Sequence, residues 1–154
     1  MMLSKKAKYG LKAMLHLART YGQGPVLISD LATDEGIPKK FLEFILLELK
    51  QHGMLQSKKG KGGGYLLARR PEEISAGRVI RALDGGLAPV PCVGDPGADA
   101  CPECREASSC CIRALMSEVN EATTHILDAA TLAELARRES SEPRPHAPLQ
   151  RYHI

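Results

Sequence analysis

All five cysteines of the chain, Cys92, Cys101, Cys104, Cys110 and Cys111, fall within one twenty-residue stretch. A thiolate is a soft anionic ligand for iron-sulfur clusters, zinc or copper(I), and several on one short loop can converge on a single centre at small closure cost. Cys101-Pro-Glu-Cys104 has zinc-knuckle spacing, although no second CxxC follows it. Disulfides and unligated thiols are the competing readings. The start, Met1-Met2-Leu3-Ser4-Lys5-Lys6, lacks the apolar core of a secretory signal. That favours a reducing cytoplasm and argues against structural disulfides.

A chain of 154 residues suits one domain with a modest core and an appended element. No apolar run approaches the roughly 20 residues needed to span a bilayer. The formal net charge of +3 conceals a division. Residues 1 to 70 carry 13 Lys or Arg against 5 acids, and residues 71 to 154 carry 8 against 13. A half at +8 can neutralise phosphates and release counterions, so nucleic acid is the first partner to consider, with a merely solvated basic surface as the alternative.

The positions of the cations decide between these. Ser4 is placed to cap a helix running through Tyr21, with Ala7, Leu11, Met14, Ala18 and Tyr21 at helical spacing and Gly22 ending it. His16 in that helix has no second ligand at i+4 and is given no role. A short helix is predicted from Ser29 to Glu35, broken by Gly36, and a third helix from Pro38 to His52. The pair reads as helix-turn-helix. Leu42, Ile45, Leu46 and Leu49 form the buried stripe of the third helix, leaving Lys39, Lys40 and Glu43 outward near its N-terminal end. That end enters the major groove in such motifs, where glutamate accepts from cytosine N4 and lysines reach guanine edges or phosphates. Lys39 and Glu43 are equally an i,i+4 surface pair.

Leu55 to Lys59 and Tyr65 to Arg69 read as two strands joined by Gly60-Lys-Gly-Gly-Gly64. This is a β-hairpin wing with Lys58, Lys59 and Lys61 at its tip, where glycines permit positive φ and close backbone approach. No Gly-Lys-Ser/Thr followed by a helix is present, so a nucleotide loop is not expected. Further on, Ser75 is expected to cap a helix to Asp84 with Val79, Ile80 and Leu83 in the core. A longer helix from Ile112 carries Leu115, Met116, Val119, Ala122, Ile126 and Leu127, a stripe too long for one small core to cover, which points to a partner helix. Intramolecular packing on the winged part is the alternative. Thr131 caps a last short helix to about Arg138. The tail from Glu139 is expected to be disordered, with His146 and His153 incidental.

The opening Leu3 to Tyr9, Ile37 to Glu43, Gly60-Lys-Gly-Gly-Gly-Tyr-Leu-Leu-Ala, Ile74 to Asp84, Leu87 to Cys92 and Thr131-Leu-Ala-Glu-Leu together resemble the Rrf2 family of bacterial winged-helix regulators. The likeness covers about residues 2 to 136. It implies a mainly α fold with a small β-wing: a winged helix-turn-helix domain over 1–84, a cysteine-rich sensor loop over 85–111, and a dimerisation helix with a short terminal helix over 112–138. It also implies a homodimer on palindromic promoter DNA, with Lys40 and Glu43 on the base-reading face and Lys59 as the wing's basic contact. Lys39, Lys58, Lys61 and Tyr65 complete the expected DNA-binding set.

In cluster-binding members of that family three cysteines lie between the wing domain and the long helix, and Cys92, Cys104 and Cys110 match them. The likeness therefore implies an iron-sulfur cluster, with zinc as the lesser alternative. The first gap is longer than usual, two further cysteines are present, and Arg113 stands where cluster-binding members carry a ligating histidine. Cys101 or Cys111 could supply a fourth ligand, or one iron could keep an exchangeable site. Two other readings stand beside the cluster sensor: a cluster-free regulator responding to thiol oxidation or a partner protein, and an iron-sulfur carrier. No nucleophile-base pair, nucleotide loop or paired acids suggest an enzyme.

Overall fold

The computed structural model describes residues 3–94, 101 and 107–141. The elements follow in the order α1 (Lys5–Arg19), α2 (Ile28–Glu35), α3 (Lys39–Gln51), β1 (Leu55–Lys58), β2 (Gly64–Leu67), α4 (Ala76–Asp84), α5 (Cys111–Ala129) and α6 (Leu132–Ser141). The fold is mainly helical with a two-strand antiparallel wing, as the sequence leads one to expect.

Ser4 caps α1 by accepting from Ala7 N, and Ser75 caps α4 by accepting from Arg78 N. Thr131 does the same for α6, its Oγ1 accepting from Glu134 N at 3.2 Å. Each cap satisfies one of the amides that a helix start leaves without an intrahelical partner. α1 stops at Arg19 with Thr20 as its cap, so Tyr21 does not extend the apolar stripe; it is 48% exposed. The run of helical spacing in the sequence outlasts the helix by two residues because Thr20 leaves the helical region.

The core is built where α1 meets α3 and α4, with Ala7, Met14, Leu42, Ile45, Leu46, Leu49 and Val79 at 0% exposure. α1 and α4 pack closely at Gly10, where an added Cβ would overlap Leu83 Cδ1. Phe41 turns inward, its ring edge-on to Tyr9 with centroids 5.8 Å apart. The N-terminus of α1 is fastened to the end of α4, since both the backbone N–H and the hydroxyl of Ser4 donate to Asp84.

A short 3-10 turn at Pro71–Glu73 links the wing to α4. The Arg70 backbone N–H beside Glu73 holds that carboxyl below its ordinary value.

α5 differs from the other helices described here: none of its residues is buried, and Ile112, Leu115, Val119 and Ile126 are 64, 55, 42 and 66% exposed. Its C-terminal end joins the body through a pair of backbone bonds, Ala76 N to Ala130 O and Leu132 N to Ile74 O, both 2.8 Å. Arg81 pairs with Asp128 beside them. α6 then buries Leu132 completely and packs along α1. It runs to Ser141, three residues into the segment expected to be a tail. The remainder of that segment, with His146 and His153, lies outside the described residues. No helix among the described residues is long and apolar enough to cross a membrane.

Candidate nucleic-acid interface and cysteine segment

α2 and α3 are joined through Gly36, whose φ of 64° and ψ of 40° lie in the left-handed region. Ile37 N then donates back to Ala32 O at 2.9 Å, and Ile37 is 3% exposed, so the turn is closed by both a hydrogen bond and an apolar plug. With Leu42, Ile45, Leu46 and Leu49 inward, Lys39, Lys40, Glu43, Phe44 and Leu47 stand exposed on the opposite face of α3. Lys6 of α1 fixes the far end of that helix, its Nζ lying 3.2 Å from both carboxylate oxygens of Glu48.

The end of α2 is held by a polar cluster that local sequence does not announce. Glu35, with 13% of its side chain exposed, lies 2.8 Å from Arg19 Nη2 and 3.0 Å from His16 Nδ1. Lys12 donates to the Glu35 carbonyl and lies 3.8 Å from its carboxylate. His16, expected to have no role, therefore helps to set the angle between α1 and the helix-turn-helix. Isolated in the sequence, it finds its partners only in the tertiary fold.

β1 and β2 pair with Leu55 opposite Leu67 and Lys58 opposite Gly64. A third segment joins them: Val26 N donates to Tyr65 O at 2.9 Å and Tyr65 N to Val26 O at 2.8 Å. This pairing accounts for Gly64, and the hairpin's own turn for Gly63. An added Cβ at Gly63 would overlap the Lys58 carbonyl, and one at Gly64 would stand 2.5 Å from the Val26 carbonyl carbon. The close approach inferred from the glycine run is thus to the protein's own backbone. Lys58, Lys59 and Lys61 are exposed at the tip, whereas Tyr65 is half-buried and packs against the core from the wing's base. Lys50 Nζ donates to Ser57 Oγ at 2.7 Å and ties the end of α3 to β1.

Beyond α4 the chain is held by Leu87 and Val93, 5 and 7% exposed, which flank the Cys92 turn. Cys92 and Cys110 are half-buried, as is Cys101, and Cys111 is exposed; none of the four is in a disulfide. Cys104 lies outside the described residues. Cys110 is the N-cap residue of α5, and Arg113 in the first turn donates from Nε to the Cys92 carbonyl at 3.2 Å. Cys92 is thereby drawn to the helix start that carries Cys110 and Cys111. A guanidinium has no lone pair to offer a metal. Arg113 therefore cannot replace a ligating histidine, and it braces the cysteine segment instead. Among the described residues no three His, Cys, Asp or Glu side chains form a metal-holding group. The donor types nonetheless suit an iron-sulfur centre: soft thiols outside any disulfide, on two segments joined by the Arg113 bond.

Comparison with known proteins gives a consistent result. The Rrf2 model, described as an iron-dependent transcriptional regulator, matches residues 3–138. An rrf2-like HTH-type transcriptional regulator of Rhodobacter capsulatus is 36% identical over 137 residues, covering 87% of this chain and 91% of that protein. The structure of CymR, titled the global cysteine regulator of B. subtilis, is similar with a TM-score of 0.74 at 30% identity, covering 90% of this chain and 98% of that one. The IscR structure from T. potens has a TM-score of 0.72 at 26% identity and covers 94% of each chain. With a helix-turn-helix, a lysine-tipped wing and these relatives, the chain belongs to the Rrf2 family of DNA-binding transcriptional regulators.

Proposed function

We propose that this regulator binds a palindromic promoter site as a homodimer and senses through an iron-sulfur cluster held by Cys92, Cys104 and Cys110, with Cys101 or Cys111 available as a further ligand. In this reading residues 1–84 read DNA, residues 85–111 sense, and residues 112–138 pair with the second copy. Lys39, Lys40 and Glu43 face the major groove, Lys58, Lys59 and Lys61 meet phosphates beside it, and Tyr65 seats the wing. Glu43 accepts from cytosine N4, and each wing lysine releases a counterion from the phosphate it neutralises.

The observation that carries the sensing half is the bond from Arg113 to the Cys92 carbonyl, which couples the cysteine segment to the first turn of the exposed helix α5. When bound, a cluster supplies a centre whose redox state or loss changes the charge on that segment. Arg113 and the N-cap backbone of Cys110 then transmit the altered position of the segment to α5. The exposed Ile112, Leu115, Val119 and Ile126 support a second copy as the cover of that helix.

A cluster-free thiol sensor is the second reading, favoured by the likeness to CymR and by Cys92, Cys101, Cys110 and Cys111 standing outside any disulfide.

The deciding experiment is anaerobic purification with iron, acid-labile sulfide and zinc measured per chain. Iron with matching sulfide, lost on Cys104→Ala, is the expected result. Zinc alone would replace the cluster with a structural metal, and metal-free protein with thiol-dependent operator binding would establish the second reading. For the DNA-binding half, alanine at Lys58, Lys59 and Lys61 together should lower the slope of log affinity against log salt by roughly 2.7 per chain. An unchanged slope would remove the wing from the interface.

A further inference from the structure

The chain has two phenylalanines, three residues apart on α3, and they face different ways. Phe41 packs edge-on against Tyr9, while Phe44 is 71% exposed, more than any other large apolar side chain among the described residues. Its neighbours along the exposed face are mixed. Lys40 lies one turn before it, Glu43 is its chain neighbour, and Leu47 follows one turn later at 49% exposure. The ring stands on the face of α3 opposite the buried Leu42, Ile45, Leu46 and Leu49, so it adds nothing to the core.

Resting on the reading of this face as the one that enters the major groove, we infer that Phe44 reads a thymine by packing on its 5-methyl group. The 5-methyl is the apolar feature that the major-groove edges present, and a phenyl ring suits it in shape and chemistry. The lysines around Phe44 bring the phosphates close, so the ring is desolvated in the groove without an apolar protein partner. Glu43 and Phe44 differ by about 1.5 Å along the helix axis, less than one base step. Consecutive residues also point about 100° apart around the axis, so the thymine lies in the same half-site within a few base steps of the cytosine that Glu43 accepts from.

The test begins with selection of bound duplexes from a random pool, using the full chain purified without oxygen. Each thymine of the selected half-site is then replaced by deoxyuridine, which removes the methyl and nothing else. One replacement, within a few base steps of the preferred cytosine, should weaken binding about fourfold, the equivalent of one buried methyl-sized group. Phe44→Ala should bind more weakly overall and be indifferent to that replacement; circular dichroism matching wild type would show that it folds. Selection that enriches no sequence would overturn the base-reading face and this inference with it. An enriched half-site in which every thymine tolerates uracil, or a Phe44→Ala protein that still discriminates uracil, would overturn the Phe44 contact alone.

Discussion

Replacing Gly64 with alanine tests how the wing is attached. The residue has φ of 149°, and its absent Cβ would stand 2.5 Å from the Val26 carbonyl carbon and 3.0 Å from Leu27 N. Both obstacles are backbone, so no side chain can swing aside. Relief requires Val26 to part from Tyr65, with loss of hydrogen bonds of 2.9 and 2.8 Å. Two such bonds contribute about 2 kcal/mol and the strained φ about 1–3 kcal/mol, for roughly 3–5 kcal/mol in all. At about 2–4 °C per kcal/mol for a chain of this size, Tm should fall by roughly 6–20 °C. If the hairpin lets go locally, the fall is smaller and trypsin cuts within Lys58 to Lys61 instead. Gly62→Ala is the control: φ there is 74° with nothing within 4 Å, so only the backbone cost of about 1 kcal/mol applies. Thermal unfolding and limited trypsin digestion read both effects. A Gly64→Ala protein that melts with wild type and resists trypsin equally would refute the close approach of Val26 to the wing.

Two further substitutions probe the other attachments. Glu35→Gln leaves Arg19 and Lys12 without their shared carboxylate; after allowance for partial exposure it should cost about 1–2 kcal/mol in urea unfolding. An unchanged midpoint would mean that the cluster does not hold α2. Val119→Asp places a charge in the exposed stripe of α5 and should shift the protein to a monomer in light scattering while helicity stays at the wild-type level. A persistent dimer would locate the interface elsewhere.

Local signals carried most of the fold. Ser4, Ser75 and Thr131 each announce a helix start through a hydroxyl that accepts an amide close by in sequence, and the stripe of α3 follows from periodicity alone. What the sequence concealed is tertiary. Val26 contributes a single residue to the wing, too little for any alternation to register, and the partners of Glu35 come from another helix. Tyr21 looked like core because spacing records where a stripe would continue and not where the backbone leaves it. Phe44 was passed over for the opposite reason: an apolar residue in a helix is assumed to face inward, and only the structure separates it from Phe41. In the cysteine segment the donor types were legible, whereas the brace from Arg113 depends on a contact across 21 positions.

The attachment of α5 has a mechanical consequence. Near Ala130 the helix is clamped by two backbone bonds and the Arg81–Asp128 pair, while its opposite end starts at Cys110. A rod of 19 residues is about 28 Å long, so a displacement of about 2 Å at the cysteine end turns it through roughly 4° about the clamp. The clamp is shared with α4, whose last residue holds the start of α1 through Asp84 and Ser4. Were the thiols to shift, the torque would reach, through this clamp, the helix whose Lys6 pairs with Glu48 of α3, with a lever arm set by the length of α5.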